Sequence, residues 1–258
     1  MNHTSYALAF AGGLLIGMLV CLEIGRRIGT RRLAQDPEGA KSGVGVVEGA
    51  VFGLLGLLLA FTFSGAATRF DTRRQLIVEE ANNIGTAWLR LDLLPTDAAT
   101  PLREWFRQYL DARIATYRKL ADPAAAQSEL ARSIQLQNKI WSGAVTACQD
   151  TKSQPAHMLL LPALNQMIDI SCTRTAATRL HPHPVIYAML AALSLVASLL
   201  AGSGMAGGAS RNWIHPISFA AAMATTVFVI ADIEYPRLGL IRIDRADQVL
   251  IDLRQSMQ

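Results

Sequence analysis

Gly49-Ala-Val-Phe-Gly-Leu-Leu-Gly-Leu-Leu-Leu-Ala-Phe-Thr-Phe63 is the stretch whose reading decides the fold. No Asp, Glu, Lys or Arg falls between Glu48 and Arg69. An α-helix rises about 1.5 Å per residue, so a run of this length spans the roughly 30 Å of a bilayer's hydrocarbon core. Backbone amides in hydrocarbon must be satisfied within the segment, and the alternating polarity of a barrel strand is absent, so the stretch is expected to be helix.

Three further runs of the same kind lie outward from it. The first covers about Tyr6 to Ile24, uncharged until Glu23; the others cover about Val185 to Gly202, after His181-Pro182-His183-Pro184, and about Trp213 to Ala231. A glycine-rich turn, Gly202 to Gly208, separates the last two. With the central run set at about 44–67, the chain is expected to be all-α, a polytopic membrane protein with four transmembrane helices. The expected division is a transmembrane pair over 1–67, an extramembrane helical domain over 68–183 between helices 2 and 3, a second pair over 184–235 and a short amphipathic tail over 236–258. Met1 to Tyr6 carries no Lys or Arg, and Val20 before Cys21 is not a small residue, so the first run is read as a permanent span and not as a cleaved signal.

Composition agrees with this division. The chain is 51% hydrophobic with a formal net charge of +4, and its charges are gathered into stretches instead of being spread over a globule's surface. Basic residues interleave with acids, which gives nucleic-acid binding little support. Cys21, Cys148 and Cys172 are odd in number and widely spaced, so neither a disulfide framework nor a zinc site is expected.

Between the second and third spans the pattern is helical. Phe70, Ile77, Ala81, Ile84, Trp88 and Leu91 form an apolar stripe that continues the second span as one long helix, ended by Pro95. Thr100-Pro101 and Asp122-Pro123 each pair a capping residue with proline, predicting new helices there. Leu102, Phe106, Tyr109 and Tyr117 are the expected buried face of one, and Leu130, Ile134, Trp141 and Val145 that of the next. A further helix is expected over Pro155 to Leu180.

Small residues recur every fourth position at Ala9, Gly13 and Gly17 and at Gly45, Gly49 and Gly53, a spacing that lets helix backbones approach closely in lipid, within one chain or between chains. Leu54, Leu57, Leu58 and Phe61 are the pore-lining candidates. Copies arranged about an axis would form a narrow apolar constriction leading to the charges of Arg69, Arg73, Glu79 and Glu80, whereas a single copy would turn the same face to lipid or core. Asp232, Glu234 and Arg237 form a polar cluster where the fourth span leaves the membrane; Asp232 is read either as a functional acid or as an interfacial acid paired with a nearby Arg. His181 and His183 read as a solvent-exposed entry turn, not a metal site. No phosphate-binding glycine loop, nucleophile elbow or metal-hydrolase motif occurs, so neither catalysis nor a cofactor or metal is expected.

Three segments carry a family resemblance: Gly56-Leu-Leu-Leu-Ala-Phe-Thr-Phe-Ser-Gly-Ala-Ala-Thr-Arg-Phe-Asp71, Leu76-Ile-Val-Glu-Glu-Ala-Asn-Asn-Ile-Gly-Thr86 and Glu234-Tyr-Pro-Arg-Leu-Gly-Leu-Ile-Arg242. From the second span onward the chain resembles the bestrophin-like family of uncharacterised bacterial membrane proteins, which is distantly similar to the bestrophin anion channels. Bestrophins are pentamers whose second helices line an apolar neck. The resemblance therefore implies a homo-oligomer in the cytoplasmic (inner) membrane, passing small inorganic ions, with Leu57 and Phe61 at neck-like positions and membrane lipid as the surrounding partner. It departs from true bestrophins after the neck, where Ser64-Gly65-Ala66-Ala67 and a lone Phe70 replace an Arg-Asn-Asn stretch and paired aromatics. The other class of function in view is a non-conducting membrane scaffold or sensor whose helical domain binds a partner protein.

Orientation is contested by two counts of positive charge. Arg26, Arg27, Arg31, Arg32 and Lys41, set against an uncharged amino terminus, place the first connection in the cytoplasm and the helical domain outside. Arg69, Arg73, Arg74, Arg174, Arg179, Arg237, Arg242, Arg245 and Arg254 place the domain and both termini in the cytoplasm, leaving the first connection and Arg211 outside. The resemblance tilts toward a cytoplasmic domain.

Overall fold

A computed structural model describes residues 3–36, 44–150, 154–207 and 213–257. Eight α-helices follow in order: α1 (His3–Gln35), α2 (Val44–Leu89), α3 (Thr96–Arg118), α4 (Pro123–Asp150), α5 (Gln154–Ala177), α6 (Pro184–Gly204), α7 (Ile214–Ile233) and α8 (Gln248–Ser256). No strand occurs among the described residues. Among the described residues four helices, α1, α2, α6 and α7, are long and apolar enough to cross a membrane.

The chain forms two compact units: Met1–Arg69 with His181–Ile241, and Phe70–Leu180 with Arg242–Gln258. The stretch expected as a tail, 236–258, divides at Ile241, and its later part belongs to the second unit. Leu250 and Met257 are buried there, and the Arg107 guanidinium donates to the Met257 carbonyl at 2.8 Å.

In the first unit α1 is longer than its apolar run. Arg26, Arg27, Arg31 and Arg32, expected in a connection, lie on the helix itself. Glu23 receives Arg26 at 3.2 Å and Arg27 at 2.9 Å, three- and four-residue spacings that support helix at its charged end. Lys41 and Arg211 lie outside the described residues, as does Gly208. The turn after α6 begins as a 3₁₀ segment, Met205–Gly207.

Close packing in this unit uses the expected Gly17, where a Cβ would stand 3.0 Å from Leu195, and glycines beyond the expected ones. A Cβ on Gly25 would stand 1.9 Å from the Leu199 carbonyl oxygen, and one on Gly202 would stand 2.1 Å from that of Leu22, so α1 and α6 meet backbone to backbone. Around Gly13, Gly45, Gly49 and Gly53 a Cβ would meet nothing within 4 Å. Gly25→Val is expected to force the helices apart and cost about 1–3 kcal/mol or more, as overpacking does. Gly53→Ala is expected to leave thermal unfolding in detergent unchanged; equal melting temperatures for the two variants would refute the contact.

In the second unit the stripe of α2 is buried as expected: Ile77, Ala81, Ile84, Trp88 and Leu91 join Leu102, Phe106 and Tyr109 of α3 in one core. Asp122 caps α4, its Oδ1 accepting from the amides of Ala124 and Ala125 at 3.1 Å. Two expectations are corrected. α3 begins at Thr96, one turn before Thr100-Pro101; the Pro95 carbonyl accepts from Ala98 and Ala99, and Pro101 sits inside the helix. α4 turns a different face inward, with Ser133, Leu136, Gln137, Ile140 and Ala144 buried while Ile134 is exposed. Polar residues lie on that inner face because Gln137 finds partners there, donating to Tyr109 Oη at 3.1 Å and Ser171 Oγ at 2.7 Å.

Candidate functional site

The face of α2 that the chain's other helices leave uncovered is the first element of the site. Only 11% of its apolar window is buried, against 28% for each of α1, α6 and α7. Leu54, Leu57 and Phe61, at helical spacings of three and four, stand out from it, with Phe61 68% exposed. Leu58 does not share this face. It leans with Phe52 and Leu59 against the cluster around Leu55, Met18, Leu190 and Val227.

The charge candidates that follow do not act together. Arg69 pairs with Glu234, its Nε donating to Oε1 at 2.8 Å, and the Glu234 side chain is fully buried. Arg73 donates to main-chain carbonyls at the end of α5, Ala177 at 3.2 Å and Leu180 at 2.9 Å. Glu79 is exposed.

Glu80, the neighbour of Glu79, is completely buried in the second unit. It accepts from Arg113 Nε at 2.6 Å and from Arg174, which also donates to Asp247 at 3.1 Å. The Arg174 guanidinium lies 3.7 Å over the ring of Tyr117, whose hydroxyl accepts from Arg113 at 3.0 Å. Two carboxylates and two guanidiniums therefore cancel in a buried site, where either sign alone would be costly. Burial pushes the Glu80 carboxyl up, but the guanidiniums of Arg113 and Arg174 outweigh it and hold the group below the ordinary carboxylate range. Burial pushes the Tyr109 phenol well above its usual value.

At the end of α7, Asp232 takes a partner other than the expected arginine. Its fully buried carboxylate accepts from the Leu240 amide at 2.9 Å and the Ile241 amide at 2.8 Å, folding the chain back on itself. The arginine contact falls instead to Glu234, two residues on. Arg237 is partly buried. His181 stacks on Tyr235 with ring centres 4.3 Å apart and sets its Nδ1 3.8 Å from Glu234. His183 caps α6, its Nδ1 accepting from Val185. Among the described residues no group of three metal-ligating side chains comes together.

The residues that sequence reasoning missed are Arg113, Arg174 and Asp247. Each looks like an ordinary charge on an amphipathic helix or turn, and no local spacing marks it. Arg69 and Glu234 were singled out separately, and both lie in segments that carry the family resemblance.

Four helices suited to a bilayer, one with an uncovered apolar face, define a helical membrane protein. The bestrophin-like domain matches residues 12–248, so the chain belongs to the bestrophin-like family. No curated protein and no solved structure matches it.

Proposed function

We propose that this chain is the protomer of a homo-oligomeric channel in the cytoplasmic membrane that passively conducts small anions. The helical residues between the second and third spans form an extramembrane vestibule domain in this reading. The observation that carries the proposal is the uncovered face of α2 bearing Leu54, Leu57 and Phe61. Copies that turn this face to a common axis make an apolar neck whose drying sets the barrier to ion passage. Arg69 is neutralised by Glu234, so the neck and not a basic mouth is the main control point. The distant similarity of the family to bestrophin anion channels supports the choice of ion and argues against an enzyme.

The competing reading, a non-conducting scaffold or sensor whose helical domain holds a partner protein, draws on Gly45, Gly49 and Gly53. The open space around them would let two α2 helices close on each other. Glutaraldehyde cross-linking in native membranes, which can link each chain through several amines, with chloride flux from liposomes of the purified protein, separates the two. A ladder beyond dimer with flux is expected; a dimer only, with tight vesicles, would favour the scaffold.

A further inference from the structure

The segment that leaves α7, Glu234 to Ile241, carries three exposed aliphatic side chains on a backbone held by hydrogen bonds. Leu238, Leu240 and Ile241 all face outward, Leu240 being 67% exposed. A loop in water would gain nothing from three such side chains, and this one is not left slack. Asp232 binds the amides of Leu240 and Ile241, and the Tyr235 carbonyl accepts from the amides of Leu238 and Gly239 at 2.9 Å. A Cβ on Gly239 would stand 2.5 Å from Asp232 Oδ1, so glycine is what lets the carboxylate sit under the turn.

Two observations fix the surroundings of this loop. The amides of Leu238, Gly239, Leu240 and Ile241 are satisfied internally, which lowers the cost of bringing this backbone to a lipid boundary. Thr4 Oγ1 donates to the Leu238 carbonyl at 2.9 Å, setting the loop level with the start of α1. There Tyr6, Leu8 and Phe10 are exposed.

We propose that residues 234–241, clamped by the buried carboxylate of Asp232, form an interfacial lipid anchor whose Leu238, Leu240 and Ile241 dip into the headgroup–acyl boundary of the bilayer. The inference rests on the reading that α1 and α7 cross that bilayer. Aliphatic side chains at this boundary are solvated by lipid, and the loop holds the end of α7 at a fixed depth. Asp232 is thus a positioning residue for the loop.

Nitroxide labels at Leu240→Cys, and at Val20→Cys on the exposed side of α1, are compared in full-length protein lacking its native cysteines, reconstituted in phosphatidylcholine vesicles. A several-fold excess of collisions with oxygen over a water-soluble nickel complex is expected at both positions. Oxygen dominance at position 20 with nickel dominance at 240 overturns the anchor and leaves the membrane reading intact. Nickel dominance at 20 overturns both. Shielding of 240 from both agents overturns the anchor in favour of a protein contact. Should the cysteine-free protein fail to fold, Leu240→Trp in the otherwise native chain gives the same answer through brominated lipid, with quenching beyond the unsubstituted protein expected and none overturning the proposal. Gly239→Ala, which crowds the carboxylate, is expected to raise nickel access at 240; unchanged access overturns the role given to Asp232.

Discussion

Phe61→Ala protein, reconstituted at the same density as the unsubstituted chain, is expected to release chloride from liposomes about tenfold faster, the change that a barrier lowered by about 1.4 kcal/mol produces. In the proposed assembly, replacing the Phe61 ring by a methyl would widen the apolar neck and let water persist in it. The side chain is 68% exposed in the single chain, so the fold loses little packing when it goes. Leu55→Ala is the matched control. Leu55 is 2% exposed, on the inward side of the same helix, and its loss is expected to destabilise the protein without widening anything. Equal release rates for Phe61→Ala and the unsubstituted protein, with both correctly assembled, would remove α2 from the axis.

Glu80→Gln is expected to cost the second unit about 3–5 kcal/mol, read as a lower unfolding midpoint in detergent. The substitution keeps the shape but leaves the buried guanidiniums of Arg113 and Arg174 facing a neutral amide. Glu79→Gln, one residue away and exposed, is expected to change stability by no more than about 0.5 kcal/mol. The pH dependence has a definite sign. Because the folded carboxyl of Glu80 titrates below its ordinary value of 4.5, its contribution is complete above that pH and is lost as pH falls through the lower folded value. Glu80→Gln should therefore flatten the acid limb of the stability profile. A variant as stable as the parent at neutral pH would mean that the network is only a crystal-like arrangement of charges with no net hold on the core.

Much of the fold was legible because lipid imposes a blunt rule on sequence. A charge-free run has to become helix, and α2, α6 and α7 lie where the runs lie. The stripe from Ile77 to Leu91 was equally plain, since apart from Glu80 its buried residues are apolar. α4 misled for the opposite reason: Gln137 and Ser133 occupy its inner face, and hydrophobic periodicity selects the neighbouring stripe that contains Ile134. Charges misled at α1, where Arg26 and Arg27 suggested a connection but Glu23 lets the helix run on. The candidate site was half legible. The face of α2 follows from spacing alone, except that Leu58 turns inward. The partners of Arg69 and Glu80 come from residues far along the chain, which no local pattern reveals.

The bond between Arg69 and Glu234 bears on how such a helix could move. Rotating or sliding the second span at its charged end means either breaking a contact to a fully buried carboxylate, at about 3–5 kcal/mol, or carrying the end of the fourth span along with it. Thermal agitation alone rarely supplies the former. Displacing one helix end is therefore expected to draw the other with it.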